Sequence, residues 1–161
     1  MVICGFLWMF RGASVCHVDA KGRFAMPTKY RDFFSLGDLK TCVITIDTED
    51  DCLLLYPVKV WEEIEQKLQS LSGLNKKVRR IQRLLIGHAH ETDLDSNGRL
   101  LLPQLLREHA HVKKKLVMVG QGNKFELWSE SDWQKMRTIW LDRDHDDDQD
   151  PLPDALMDIM V

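Results

Sequence analysis

The sequence predicts an α+β fold in which one small β-rich unit occurs twice. Three observations carry this. The segment Asp19-Ala-Lys-Gly-Arg-Phe-Ala-Met-Pro-Thr-Lys-Tyr-Arg31 aligns with Asp95-Ser-Asn-Gly-Arg-Leu-Leu-Leu-Pro-Gln-Leu-Leu-Arg107 at an offset of 76, and five of 13 positions are identical. Unrelated segments of ordinary composition would share about one. A second stretch, Leu53-Leu-Leu-Tyr-Pro-Val-Lys-Val-Trp61, matches Phe125-Glu-Leu-Trp-Ser-Glu-Ser-Asp-Trp133 at an offset of 72. Both carry apolar-x-Leu-aromatic and then a tryptophan five residues on. The two stretches keep their order in each half, so a short insertion or deletion explains the changed offset, and the chain is a duplication.

Each half reads alike. A strand enters over 13–18 or 87–94. The Asp-x-x-Gly turn follows, where Gly22 or Gly98 can adopt the positive φ that other residues resist. A short apolar strand leaves it, Arg23-Phe-Ala-Met or Arg99-Leu-Leu-Leu. Pro27 or Pro103 then suits the first turn of a helix, where a missing N–H costs nothing. The helices are short, Thr28 to Phe34 and Gln104 to His109. Strands at 42–47 and 52–56, or 116–120 and 124–128, close the unit, with Gln121-Gly122-Asn123 as a hairpin loop. A helix carrying the repeated tryptophan ends each half. In the first, Trp61, Ile64, Leu68, Leu71, Leu74, Val78, Ile81 and Leu85 recur every three or four residues, and Ser70-Leu-Ser-Gly73 breaks the stripe into two helices. The second piece carries Lys76, Lys77, Arg79, Arg80 and Arg83, which read as a solvated face or as a phosphate- or subunit-contacting patch.

Composition narrows the class. The chain has 161 residues, 44% hydrophobic and 29% charged, as a soluble globular protein does. No apolar run approaches the roughly 20 residues of a membrane span, so no membrane partner is expected. The four cysteines, at 4, 16, 42 and 52, lack the spacing of a zinc site or a disulfide framework and read as buried thiols of a reducing cytoplasm. The net charge is −3, yet 142–161 hold eight acids and one base, leaving 21 basic and 17 acidic residues in 1–141, a net of +4. A mildly basic body permits nucleic-acid binding. The acidic stretch 142–161 reads as a disordered tail, either a solvated terminus or a competitor of DNA for the basic surface.

The repeated turn carries the chemistry. Asp19 or Asp95 can fix the turn by accepting backbone N–H groups and can pair with the arginine four residues on. Arg23 or Arg99, so oriented, can fork to a phosphate or to guanine O6 and N7. The plainer alternative is that each pair is structural glue. Asp93-Leu-Asp95-Ser-Asn97-Gly98 imitates half an EF-hand, but its twelfth position is Gln104 and the sister turn has Val18 and Lys21 where ligands are needed, so no calcium or other metal is expected. The two His-x-His pairs (His88/His90 and His109/His111) have no third ligand placed by sequence. No Walker loop, nucleophile elbow or nucleophile–base pair is present, so neither enzyme, cofactor nor small-molecule substrate is expected.

Met9-Phe-Arg-Gly12, Asp19 to Arg23, Pro27 to Arg31, Cys52-Leu-Leu-Leu-Tyr-Pro57, Arg79-Arg-Ile-Gln-Arg-Leu-Leu85 and Asn123-Lys-Phe-Glu-Leu-Trp128 together closely resemble the MraZ family of bacterial transcriptional regulators. The resemblance runs from Met9 to about Trp140. It implies a tandem AbrB-like (swapped-hairpin) β-barrel pseudo-dimer with connecting and C-terminal helices. AbrB-like domains would occupy 13–60 and 89–132, with a helical connector at 61–86. It further implies a homo-oligomeric ring, no catalytic activity, and association with the nucleoid in the cytoplasm. The partner would be double-stranded promoter DNA, with repeated boxes upstream of the division and cell-wall gene cluster, usually repressed. The family's Asp-x-x-x-Arg motifs fall on Asp19–Arg23 and Asp95–Arg99, which raises the DNA role of both arginines. The first copy is the more basic around its turn, and Lys21, Lys29 and Arg31 join Arg23 as expected DNA contacts. Asp19, Gly22, Asp95 and Gly98 are the expected turn-orienting residues. Residues 1–8 are extra to the family pattern and read either as the product of an upstream start codon, with Met9 the true first residue, or as an apolar extension beside a subunit contact. Two other classes compete: a protein-interaction scaffold whose arginines pair with acidic partners, and an antitoxin-like AbrB module.

Overall fold

The computed structural model describes residues 9–35 and 37–142. Expectations about 1–8 and about the tail beyond Asp142 lie outside the described residues. The first half runs β1 (Ala13–His17), β2 (Arg23–Ala25), α1 (Thr28–Phe34), a 3-10 turn at Gly37–Lys40, β3 (Thr41–Ile46), β4 (Leu53–Pro57) and α2 (Val58–Ser70). After α3 (Lys76–Leu85), the second half repeats the series as β5 (His90–Asp93), β6 (Arg99–Leu101), α4 (Gln104–His109), β7 (Lys115–Gly120), β8 (Phe125–Ser129) and α5 (Glu130–Leu141).

Local chemistry sets the helix ends. Pro27 and Pro103 lie one residue earlier than expected, as N-caps with extended ψ near 140°, and Pro57 caps α2 in the same conformation. The ring fixes φ near −60° while the residue remains outside the helix, and its missing N–H leaves no donor unpaired. The stripe of apolar residues does break after Ser70. There Asn75 caps α3, its side chain accepting the backbone N–H of Lys77 at 2.9 Å and of Val78 at 3.3 Å. Ser129 caps α5 through the N–H of Asp132 at 3.1 Å.

The strands form a six-stranded sheet ordered β1-β7-β8-β4-β3-β5, every neighbour antiparallel, and a separate β2–β6 ribbon. The order reveals an exchange. β1 pairs with the second half's β7, and β5 pairs with the first half's β3. The registers are symmetric about two cross-copy pairs, Leu54 with Glu126 and Phe24 with Leu100, so the halves are related by a local two-fold. Among the described residues β1 and β5 end the six-stranded sheet and no ladder joins them directly, so a closed barrel is not found. Beyond the end of β1, Val18 makes an isolated bridge to Phe24 of the ribbon.

Parity divides the core. Cys42, Ile44, Ile46, Leu53, Leu55, Leu116, Met118, Phe125 and Leu127 face one side, where they meet Phe24, Met26 and Leu100 under the ribbon and Phe33, Phe34 and Leu106 of α1 and α4. The other face holds Val43, Leu54 and Tyr56 beneath Trp61 of α2, and Val117, Val119 and Trp128 beneath Trp133 and Met136 of α5. Central strands covered on both faces lose the apolar–polar alternation of one-sided strands, as Val43-Ile-Thr-Ile46 and Leu53-Leu-Leu-Tyr56 do. Phe10 seals the end of the core, its ring 4.3 Å from that of Phe125 and its backbone bonded both ways to Gly122. Cys16, Cys42 and Cys52 are buried, and burial pushes the Cys16 thiol up to about 11 and that of Cys42 to about 12.

Phe24 and Leu100, both fully buried and paired in register across the ribbon, seat the two copies' ribbon strands on the core. Phe24→Ala should cost about 3–5 kcal/mol and Leu100→Ala about 2–5, read as a shift in the midpoint of urea unfolding.

Candidate nucleic-acid interface

The two Asp turns share one hydrogen-bond plan. Asp19 Oδ1 accepts the backbone N–H groups of Lys21 and Arg23, each at 2.9 Å, and Oδ2 accepts Arg23 Nε at 3.1 Å. Asp95 does the same with Asn97 and Arg99, at 2.9, 2.9 and 3.1 Å. One carboxylate thus holds both the turn and the guanidinium. The Arg23 backbone N–H, then the Arg23 side chain and the Lys21 N–H, hold the Asp19 carboxyl below its ordinary value. The backbone N–H groups of Arg99 and Asn97 lead the same effect on Asp95.

The glycines are required twice over. Gly22 and Gly98 have φ of +85° and +71°, a region where a Cβ clashes. Each is also roofed by the other copy. A Cβ on Gly22 would lie 2.7 Å from the Leu102 carbonyl oxygen and 2.9 Å from the Arg107 guanidinium, and one on Gly98 would lie 2.9 Å from Arg31 Nε. The carbonyls of Gly22 and Gly98 accept the N–H groups of Leu102 and Met26, both at 2.8 Å. Each turn therefore stands on the opposite copy.

The ribbon then brings the turns together. Phe24 and Leu100 point inward, so the intervening residues Arg23, Ala25, Arg99 and Leu101 face out. Arg99 Nη1 lies 3.9 Å from Asp19 Oδ2, so one carboxylate bridges the two copies' arginines. The arginine side chains are 32% and 31% exposed, which leaves the guanidinium tips accessible while the stems are held. Lys21 is exposed beside the first turn. Lys29 lies away from the ribbon, Nζ over the Tyr30 ring at 4.8 Å and against Gly12. Arg31 does not stand beside the first turn. Its Nε donates to the Met26 carbonyl at 2.7 Å and its side chain covers Gly98 of the second. Arg107 is its counterpart against Gly22, with a buried Nε that has no hydrogen-bond partner among the described residues. The repeat marked Arg107 as clearly as Arg31; only the choice of the more basic copy passed over it. Asp93, offered as a calcium ligand by its spacing, accepts the Thr41 hydroxyl at 2.6 Å.

Comparison with known proteins follows the same division. The family described as "MraZ protein, putative antitoxin-like" matches in two segments, 9–84 and 85–148. The chain is 49% identical over 153 residues to the "Transcriptional regulator MraZ" of Pectobacterium carotovorum, covering 95% of this chain and 100% of the relative. It is 51% identical over 149 residues to that of Alkalilimnicola ehrlichii, covering 92% and 97%. With the protein of that name from Legionella pneumophila (strain Corby) it shares 51% over 133 residues, 83% of this chain and 88% of the other.

Because both carboxyls titrate below the ordinary aspartate value of 3.8, their hold on the turns is complete above that pH and is lost only as the pH falls through each depressed value. Carboxyl carbon shifts followed by NMR should place both midpoints below 3.8, with the amide resonances of Arg23 and Arg99, which donate to these carboxylates, moving in step. Titration of either at or above the ordinary value would contradict the bonded geometry.

Proposed function

The chain belongs to the MraZ family, and on that premise we propose that it is a transcriptional regulator that binds double-stranded DNA through the outer face of the β2–β6 ribbon. The observation that carries the proposal is the pair Arg23 and Arg99, set diagonally on that face and both reached by Asp19, each Nε held by its own aspartate. A two-stranded antiparallel ribbon fits the major groove of B-DNA. An arginine held in one orientation can fork to guanine O6 and N7 or to a phosphate with little further ordering cost. In this reading Asp19, Gly22, Asp95 and Gly98 set the arginines, Lys21 adds a phosphate contact, and Lys29 and Arg31 contribute at the edges. Arg31 also buttresses Gly98.

The finer reading follows the family. The exchanged strands support a swapped-hairpin pair of AbrB-like domains over 13–60 and 89–132, joined by helices over 61–86, so that one chain stands for a dimer of the simpler type. Copies of the chain assemble into a ring, and the ring represses transcription from repeated boxes upstream of the division and cell-wall genes, in the nucleoid. A ring also reconciles DNA binding with a chain whose net charge is −3, because adjacent boxes let neighbouring protomers bind together and effective concentration replaces single-site affinity.

Arg23→Ala should weaken binding to the promoter duplex by about 10- to 100-fold, the worth of one bidentate contact, with circular dichroism and assembly mass unchanged. Wild-type affinity in that variant would remove Arg23 from the interface. For the wild type, the logarithm of the binding constant should fall linearly with the logarithm of salt concentration through counterion release. A flat response in a gel-shift or anisotropy titration would exclude phosphate contacts.

A further inference from the structure

The strand exchange makes the two turns chemically unequal, and it does so with residues far away in sequence. Val18, the residue before Asp19, donates its N–H to the Lys114 carbonyl at 2.9 Å, and His17 sits opposite Lys115. The first turn is therefore flanked by Lys113-Lys114-Lys115 of the second copy. At the second turn the equivalent bond runs from Leu94 N–H to the Lys40 carbonyl, also 2.9 Å, and Asp93 sits opposite Thr41. Its flank is Leu39-Lys40-Thr41 of the first copy. Position by position, three lysines stand where the other flank has one, His17 stands where the other has Asp93, and Lys21 where the other has Asn97.

Charge follows. Lys21, Arg23, Arg107, Lys113, Lys114 and Lys115 outnumber Asp19 around the first turn. Around the second, Arg99, Lys40 and Arg31 stand against Asp93 and Asp95. All three lysines of the run are exposed. Lys115 Nζ is 3.9 Å from Glu130 and is partly neutralised. Asp132, the other acid nearby, is taken by His111 at 2.8 Å. Lys113 and Lys114 have no ion-pair partner among the described residues, and they line an open groove between the segment that enters β7 and the β8–α5 junction.

We propose that Lys113 and Lys114 form a phosphate-binding strip for the first turn, so that the ribbon grips DNA harder on its Asp19–Arg23 side than on its Asp95–Arg99 side. The strip contacts the nucleic-acid backbone and carries no base readout, because ammonium groups on flexible stems act as point charges. A pseudo-symmetric ribbon loaded in this way has a direction on the duplex. The proposal rests on the DNA-binding reading of the ribbon.

The test compares wild type, Lys113→Gln/Lys114→Gln, Lys40→Gln and Arg23→Ala on two duplexes: the region upstream of the chain's own gene, and a scrambled duplex of equal length. Circular dichroism melts and assembly mass check the fold; the substituted lysines are exposed and glutamine approximates their length. The double variant should lose affinity severalfold on both duplexes, and its log–log salt slope should fall by about 1 to 2, near 0.9 per phosphate contact. Lys40→Gln should change the slope less. A double variant with wild-type slope and affinity overturns the strip, and a Lys40→Gln loss as large as that of the double variant overturns the inequality of the two sides. Altered self-association with unchanged DNA binding would assign the lysines to an acidic protein segment and likewise overturn it. If the wild type bound neither duplex, the DNA-binding reading itself would fall. If wild type binds and Arg23→Ala weakens it while the lysine variant does not, only the strip falls.

Discussion

The pairing of β1 with β7 and of β5 with β3 is the constraint on which the rest of this structure depends. Neither half can complete its own sheet, because each half's entering strand hydrogen-bonds to the other half's hairpin. The exchange commits each chain direction so that β2 and β6 emerge side by side over the core. Phe24 and Leu100 are buried beneath this ribbon because the exchange places them there. The two Asp turns are then close enough for Asp19 to face Arg99 as well as Arg23. Even the turn glycines are explained by it: what roofs Gly22 is Leu102 and Arg107, and what roofs Gly98 is Arg31.

The arrangement separates two tasks. The inward residues of the ribbon and the double-faced sheet supply apolar burial, the main source of stability. The outward residues are then free of packing duty and can vary in charge. The two-fold symmetry of the backbone is kept by the registers, whose hydrogen bonds do not depend on side-chain identity, so the duplicated copies can diverge at their surfaces without losing the fold. The contrast between Lys113-Lys114-Lys115 and Leu39-Lys40-Thr41 is such a divergence, placed beside a site rather than spread at random.

The two short helices were legible in the sequence to the residue, and the strands to within one to three residues. α1 and α4 span the positions that the proline and the apolar spacing mark, and α2 and α3 part where Ser70 to Gly73 interrupts the stripe. The Asp–Arg pairing was legible too, because four residues across a tight turn leave the carboxylate few other partners. Less visible was the place of the prolines, one residue outside each helix, since N-cap and first-turn positions both tolerate a missing N–H. Closure of the barrel expected from family resemblance is not found among the described ladders, where β1 and β5 end the sheet. Arg31 was expected beside its own turn and instead covers the opposite one, because the exchange carries α1 across to the second copy's glycine.

By itself the sequence determined the duplication, the turn chemistry and the bounds of the two short helices, all interactions closed within a few residues. Tertiary structure alone decided which strand pairs with which, and therefore that two turns 76 residues apart form one face and that a lysine run near residue 114 flanks Asp19. The physical reason is that backbone ladders are chemically uniform. A strand's sequence says that it must be paired and which face is buried, but the N–H and C=O groups of β1 would satisfy either hairpin, and only the packing of the whole chain chooses between them.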